Sequence, residues 1–275
     1  MKTSLLAAAL GCMLLFSPIG ATAGALDGFA GAKGTLKIAG GTAHIPVMKE
    51  AAQAIMSSNP DVQITIAGGG TGVGIKQAGE GLVDIGNAGR KPTDEEVSRY
   101  DLHMVQWAID GVAVVVHPGN PVKALSGEQL RDVYAGKIAN WKELGGSDKG
   151  INLYDRDETS GTREVFLKNG LKDGTVAKTA NVVVSNGAMK TAVAGDPYGI
   201  GYVSVGHIDA TVGPVALDGI VPSVATVKDG SYKVARGLYS LTKGPASGLA
   251  KLFLNYLLTP EGQKIATDKG FISVL

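Results

Sequence analysis

Short β-type runs alternate with helical runs along the chain from Gly34 onward, and this alternation limits the possible folds more than any other feature of the sequence. Apolar residues at every second position predict strands, whereas apolar residues three and four positions apart predict amphipathic helices. In the first part of the chain the pattern predicts strands over 35–40, 62–69 and 83–89 and helices over 45–60 and 74–81. Strand, helix and strand in this order form βαβ units, so we predict an α/β fold with mainly parallel sheets.

A second α/β block follows a long apolar run over 104–121. Because this run is too long for one ordinary strand, we predict that it crosses between two parts of the fold. Beyond it, the pattern predicts helices over 126–136, 160–170 and 187–196 and strands over 151–157, 181–186 and 199–205. Residues 212–243 are predicted to form strands and a hairpin with a turn at 228–231. Residues 246–270 are predicted to be helical, with a second helix starting at Pro260.

The first 23 residues have the pattern of a secretory signal peptide. Lys2 precedes an apolar run, and Ala21-Thr22-Ala23 is a cleavage site of small residues. Cys12 raises the alternative of a lipoprotein, but apolar residues continue directly after it. We therefore expect cleavage after Ala23 and export to the periplasm. The remaining chain is long enough for two compact lobes or one large domain.

The charges of the exported chain balance. Of the 26 Lys and Arg residues only Lys2 lies in the leader, which contains none of the 25 Asp and Glu residues. A neutral surface argues against nucleic acid or an acidic membrane as a partner.

Three loops share one design, in which a strand ends, a turn rich in Gly, Ser and Thr follows, and a helix begins. They are residues 40–43, 69–72 and 159–162. A helix N-terminus has free N–H groups and the positive end of the helix dipole, so it attracts anions. One such loop is usually an ordinary helix cap. Three of them in one chain favour an anion site. Arg156 lies four residues before Ser160, and its guanidinium can bind an oxyanion through two parallel hydrogen bonds. The alternative for Arg156 is a surface ion pair with a neighbouring acid.

Other classes of site find little support in the sequence. The glycine-rich stretch at 68–77 matches neither the dinucleotide nor the P-loop fingerprint. The four histidines are scattered, so we predict no metal and no cofactor. A serine hydrolase would need a base beside Ser160, and the sequence around this serine is not a nucleophile elbow. His44, in the first loop, is the histidine that could serve.

Six segments in a fixed order resemble the substrate-binding proteins of phosphate ABC transporters, the PstS-like periplasmic binding proteins. They are GGGTGVGIKQAGEGLVDIGNAGRKPTDEE (68–96), AIDGVAVVVHPGNPV (108–122), YAGKIANWKELGG (134–146), RDETSGTREVF (156–166), YGIGYVSVGHI (198–208) and LTPEGQKI (258–265). The resemblance covers roughly residues 34–275. It implies the type II two-lobe fold, in which each lobe is a mixed, mainly parallel sheet flanked by helices and two crossover strands join the lobes.

The resemblance also implies an organisation and a function. Lobe 1 would comprise residues 24–114 and 212–275, and lobe 2 residues 115–211. The protein would be a monomer that closes over one inorganic phosphate ion and delivers it to an inner-membrane ABC permease. It would not be an enzyme.

By position in the family's motifs, seven residues are expected to bind phosphate. These are Thr42, the Ala43 backbone, Thr71, Arg156, Ser160, Gly161 and Thr162. The sequence departs from the family at Gly89-Arg90, where many members carry an aspartate that accepts the proton of bound phosphate. Gly89 gives up a side-chain contact there, and Arg90 is expected to add charge. We hypothesise that Asp110, a lone acid within an apolar run, is the proton acceptor instead. The alternative role for Asp110 is structural, in a turn or an ion pair.

Three other functions stay open at this point. The chain could bind another oxyanion, such as sulfate, molybdate or tungstate. It could be a secreted phosphate-ester hydrolase that uses Ser160. It could also be a phosphate-responsive adhesion or signalling protein with no transport partner.

Overall fold

A computed structural model describes residues 24–275 of the chain. The expected signal peptide and Cys12 lie outside the described residues. Within residues 24–275, no helix combines the length and the apolar character that crossing a bilayer requires.

The first block is a parallel β-sheet covered by helices, as the alternating pattern predicts. Its elements are β1 (Gly34–Gly40), α1 (Ile45–Ser58), β2 (Val62–Gly69), α2 (Thr71–Gly79), β3 (Ile85–Ala88) and α3 (Asp94–Tyr100). Strand β1 lies between β2 and β3 and is parallel to both. A short 3-10 turn, Thr42–His44, joins β1 to α1. The turn and the first residues of α2 therefore lie at the same edge of the sheet, beyond the carboxyl ends of β1 and β2.

The long apolar run is one continuous strand, β4 (Leu102–Val116). Residues 102–111 pair with β11 (Ala235–Lys243), and residues 112–116 pair with β8 (Gly199–Ser204), both antiparallel. Strand β11 in turn pairs with β3. A single strand thus belongs to both halves of the sheet.

The second block repeats the α/β pattern. Its elements are β5 (Ala124–Leu125), α4 (Gly127–Tyr134), β6 (Asn152–Arg156), α5 (Gly161–Val165), β7 (Asn181–Val183), α6 (Asn186–Ala194) and β8. Helix α5 continues as a π-helical turn, Phe166–Gly170. The strand order of the main sheet is β2-β1-β3-β11-β4-β8-β6-β7. This mixed sheet with flanking helices confirms the predicted fold class.

The predicted hairpin within residues 212–243 is wrong. Two short strands, β9 (Gly213–Pro214) and β10 (Ala216–Leu217), pair with β4 and β5 rather than with each other. The segment before the predicted turn is a helix, α7 (Val224–Lys228), because Ser223 and Thr226 form a capping box at its start. The division at Pro260 is confirmed by α8 (Gly248–Leu257) and α9 (Pro260–Asp268).

Most of the buried apolar side chains form two large clusters. One contains Trp107 with the helices α1, α8 and α9, and the other contains residues 112–116 of β4 with α4 and α6. Val212, Val227 and Tyr232 belong to the second cluster. The expected lobe boundary at 211/212 therefore does not coincide with the boundary between the clusters, and the division into lobes stays a prediction.

His44 is fully buried, and its ring lies edge-on to Trp107 with the ring centroids 5.5 Å apart. Burial lowers the pKa of His44 from its ordinary value of 6.5 to about 3. Below pH 6.5 the unfolded chain therefore binds a proton that the folded chain rejects, so stability is lost as the pH falls toward 3. Between pH 7 and pH 5 we expect a loss of about 2 kcal/mol in the free energy of unfolding from this residue.

Urea denaturation at the two pH values measures that loss. His44→Gln should show a smaller loss between pH 7 and pH 5 than the wild type, and His103→Gln, at an exposed position of β4, should match the wild type. Equal pH dependence in all three proteins would show that His44 does not couple stability to pH.

Candidate functional site

The three predicted loops converge on one enclosed cavity with an empty volume of about 180 Å³. The 3-10 turn after β1 and the N-termini of α2 and α5 form its walls. Its lining residues are Gly41, Thr42, Ala43, Gly70, Thr71, Gly89, Arg156, Ser160, Gly161, Thr162 and Arg236. Eight of the ten residues expected at the site are among them. Arg90 and Asp110 are not.

Glycine lets the loops approach each other closely. Gly70 has a φ of +88°, and a Cβ atom there would lie 2.6 Å from the carbonyl oxygen of Thr159. Two hydrogen bonds join the same loops, from Gly72 N to the Thr159 carbonyl (3.0 Å) and from Thr159 Oγ1 to the Gly69 carbonyl (2.9 Å). The N-termini of α2 and α5 are therefore held side by side, and their first residues, Thr71, Gly161 and Thr162, line the cavity at the positive ends of the two helix dipoles.

Arg156 lies at the end of β6 and is only 2% exposed. Its Nε donates to the Val183 carbonyl (3.0 Å), and Nη2 donates to the Val184 carbonyl (3.2 Å). Its third nitrogen, Nη1, is buried and has no partner among the described residues. Burial lowers the pKa of Arg156. The alternative of a surface ion pair does not fit, since the guanidinium is buried and the nearest carboxylate oxygen, on Asp157, is 3.7 Å away.

Arg236, in β11, is a second buried guanidinium that the sequence analysis missed. Its Nε and Nη2 donate to Asp110 Oδ2 at 2.9 and 2.8 Å, and its Nη1 donates to Thr162 Oγ1 at 2.9 Å. Arg236 lies directly opposite Asp110 in the pairing of β11 with β4. The available signal was a lone base and a lone acid in two apolar strands, but the pairing of the strands could not be derived from the sequence.

Asp110 does not face the cavity, so the hypothesis that it accepts a proton from a bound anion is wrong in this structure. Its Oδ2 accepts from Arg236, and its Oδ1 accepts from Ser204 Oγ at 2.8 Å. Burial raises the pKa of Asp110, and the neighbouring Arg236 guanidinium opposes that rise. Asp110 thus fixes the position of Arg236.

Arg90 also lies outside the cavity, contrary to its expected place among the anion ligands. Its guanidinium forms a bidentate pair with Glu96 (2.6 and 2.8 Å) and an ion pair with Glu164 (2.5 Å). The hydrogen bonds that Arg90 donates to the Glu96 carboxylate hold the pKa of Arg90 above its ordinary value. Gly89 does line the cavity, and a Cβ atom there would lie 2.8 Å from Arg236 Nη1. The Arg236 guanidinium therefore occupies the space beside Gly89 where a side chain would begin.

His44 follows the first loop but points away from the cavity. Its Nε2 contacts the Tyr239 carbonyl at 3.2 Å on the far side of the turn. No histidine, aspartate or glutamate lines the cavity in the described chain. Nor do three or more His, Cys, Asp or Glu residues come together within residues 24–275 in a way that would hold a metal ion.

Comparison with known proteins identifies a matching family model and similar sequences. A family model described as the PBP superfamily domain matches residues 27–261. The phosphate-binding protein PstS of Bacillus subtilis is 39% identical over 246 residues, which cover 88% of this chain and 82% of that protein.

Two solved structures are similar to this chain in both fold and sequence. One is a Clostridium perfringens protein crystallised with bound phosphate and assigned to phosphate ABC transporters as a substrate-binding protein. It is 36% identical with a TM-score of 0.83 and covers 88% of this chain and 100% of its own. The other is an ABC-type phosphate transport receptor of Vibrio cholerae, 30% identical with a TM-score of 0.69, covering 86% and 99%.

Proposed function

The chain belongs to the PBP superfamily and, within it, to the family of phosphate-binding proteins named PstS, and from this we propose that it binds inorganic phosphate in the enclosed cavity. It acts as a monomer in the periplasm and delivers the ion to an inner-membrane ABC permease. The names of the relatives support the ligand and the transporter class.

The observation that carries the proposal is the unpartnered Nη1 of Arg156. A buried N–H of a charged group without an acceptor is costly, and an anion in the cavity removes that cost. The N–H groups of Gly161 and Thr162, in the first turn of α5, have no helical acceptor and line the same cavity. An oxyanion would satisfy all of these donors at once.

The energies are sufficient for tight binding. Each hydrogen bond to a charged group contributes about 1.5–3 kcal/mol, and several donors line the cavity. Desolvation, lost motion and closure of the protein remove part of that sum. A net value of about −8 kcal/mol, which corresponds to micromolar binding, or a more favourable one is expected.

Binding is coupled to closure of two lobes in this proposal. Asn186, in the second block, donates to Thr42 Oγ1 of the first block through its backbone N (3.2 Å) and its Nδ2 (3.1 Å). Together with the bonds of Thr159, these contacts join loops from both blocks around the cavity. A phosphate ion touching both sides favours the closed arrangement because only there does it meet every donor.

A hydrolase that uses Ser160 has no supporting observation. Ser160 Oγ accepts a hydrogen bond from Arg163 N at 3.2 Å, and no residue that could act as a general base lines the cavity in the described chain. The relatives are named as binding proteins. We therefore propose a binding protein and not an enzyme.

Calorimetric titration of the mature protein, stripped of ligand, tests the proposal. We expect phosphate to bind at one site per chain with micromolar or tighter affinity, and a chromogenic phosphate ester to show no turnover. The absence of heat with phosphate, together with unchanged thermal stability in its presence, would refute the proposed ligand.

A further inference from the structure

The cavity presents hydrogen-bond donors and almost no acceptors. Its charged groups are the two guanidinium groups of Arg156 and Arg236, and its other polar side chains are four hydroxyls. Those hydroxyls belong to Thr42, Thr71, Ser160 and Thr162. What each hydroxyl offers to a ligand depends on the bonds it already makes.

Each of the four hydroxyl oxygens accepts a hydrogen bond from a protein N–H. Thr71 Oγ1 accepts from Gly89 N at 2.8 Å, and Ser160 Oγ accepts from Arg163 N at 3.2 Å. The Thr162 hydroxyl accepts from Arg236, and the Thr42 hydroxyl accepts from Asn186. None of the four donates its hydrogen to another described residue, so that hydrogen is left for a ligand.

The carbonyl groups of the cavity wall are occupied too. Those of Gly41, Gly70 and Ser160 accept from the backbone N–H groups of His44, Gly74 and Glu164, respectively. The Gly89 carbonyl accepts a long bond, 3.4 Å, from Arg236 Nη1. The main chain therefore offers a protonated ligand oxygen little to donate to.

The nearby carboxylates are also engaged elsewhere. Both oxygens of Asp110 are bonded to Arg236 and Ser204. Asp157, which lies beside Arg156, accepts from the backbone and the hydroxyl of Thr159. At position 89, glycine supplies no side chain.

We propose that this cavity selects tetrahedral oxyanions by charge and shape, without a proton acceptor, so that it prefers dianionic to monoanionic phosphate and also binds sulfate. The inference rests on the proposed function, because it concerns the ligand class of the same cavity. The monoanion of phosphate carries two protons and the dianion one, and each proton would face donors and remain unpaired, so the doubly protonated monoanion is the more disfavoured form. Sulfate carries no proton, so each of its four oxygens can accept from the wall.

The charge around the cavity favours a dianion as well. Arg156 and Arg236 line the cavity, whereas Asp110 and Asp157, whose two negative charges balance theirs, lie outside it, so a bound anion is closer to the positive charges than to the negative ones. The two nearest histidines, His44 and His207, have pKa values lowered by burial to about 3 and about 4. They stay neutral above pH 5.5, so the pH dependence of binding in that range follows the ionisation of the phosphate ion itself.

Titration with phosphate and with sulfate at pH 5.5, 7.0 and 8.5 tests the inference. The affinity for phosphate should rise about tenfold or more from pH 5.5 to pH 8.5, whereas the affinity for sulfate should change less than about twofold. At pH 7.0 the two dissociation constants should lie within about tenfold of each other, or ~1.4 kcal/mol. Tight phosphate binding with no sulfate binding would overturn this inference and leave the proposed function standing. Sulfate binding without phosphate binding would refute the proposed function instead.

Matched variants at two positions sharpen the test. Gly89→Asp places a carboxylate acceptor at the cavity wall once Arg236 Nη1, 2.8 Å from the added Cβ, has shifted, and Gly89→Asn requires the same shift and has the same size without the charge. We expect Gly89→Asp to reduce the affinity for sulfate at least tenfold more than the affinity for phosphate. Gly89→Asn should reduce the two affinities equally. Asp110→Asn should reduce the affinities for phosphate and sulfate equally, because Asp110 contacts Arg236 and does not line the cavity. A selective gain of sulfate binding in Asp110→Asn would show that Asp110 is a proton acceptor after all and would refute the inference.

Discussion

Arg156→Ala is expected to weaken phosphate binding by roughly a hundredfold, which corresponds to about 3 kcal/mol. The guanidinium is preorganised, since two of its nitrogens are bound to the carbonyls of Val183 and Val184 and the third is left free at the cavity. Alanine removes that donor and its charge. Calorimetry with phosphate measures the loss, and thermal unfolding without ligand verifies that the variant is folded.

Arg90→Ala is the matched control for this prediction. The Arg90 guanidinium pairs with Glu96 and Glu164 outside the cavity, and partly exposed ion pairs contribute about 0–1 kcal/mol. Its affinity for phosphate should therefore change less than about fivefold. A larger effect of Arg90→Ala than of Arg156→Ala would place the anion at Arg90 and move the site out of the cavity.

The sequence was sufficient to predict the elements and the loops that form the site. Each loop follows a strand, and Gly, Ser and Thr at a helix start carry local information that does not depend on distant parts of the chain. For that reason Thr42, Thr71 and Ser160 lie together as expected. The apolar run over 104–121 does cross between the two halves of the sheet as predicted, although as one strand, Leu102–Val116, where the sequence analysis judged it too long for an ordinary strand.

The two charged residues placed incorrectly depend on long-range pairing. Asp110 turns away from the cavity because β11 places Arg236 directly opposite it. Arg90 turns away because Glu96 and Glu164, on two different helices, converge on its guanidinium. Both outcomes depend on which strands and helices become neighbours in the fold. The residues next to Asp110 and Arg90 in the sequence do not reveal those neighbours.

Gly161→Ala is expected to weaken phosphate binding at least a hundredfold while leaving the ligand-free protein folded. A Cβ atom at Gly161 would lie 2.1 Å from Thr71 Oγ1 and 2.9 Å from Thr71 Cβ. These two residues begin α5 and α2, which separate from each other when the cavity opens in the proposed motion. The added methyl group would then be free of Thr71, so we expect the variant to penalise closure alone.

Rotation of Thr71 does not relieve the clash without cost, because its hydroxyl accepts from Gly89 N at 2.8 Å. Thr71→Ala removes the hydroxyl oxygen, which is the nearest obstacle at 2.1 Å, and keeps only Cβ at 2.9 Å, so Gly161→Ala should cost less in that background than in the wild type. Gly187→Ala is the control, since a Cβ atom there makes only an ordinary contact, 3.8 Å from Ser185 Oγ. Calorimetry on the four variants, with small-angle scattering to follow closure, measures the coupling. If Gly161→Ala bound phosphate as tightly as Gly187→Ala, α2 and α5 would not approach in the bound state, and binding by closure of the two lobes would be refuted.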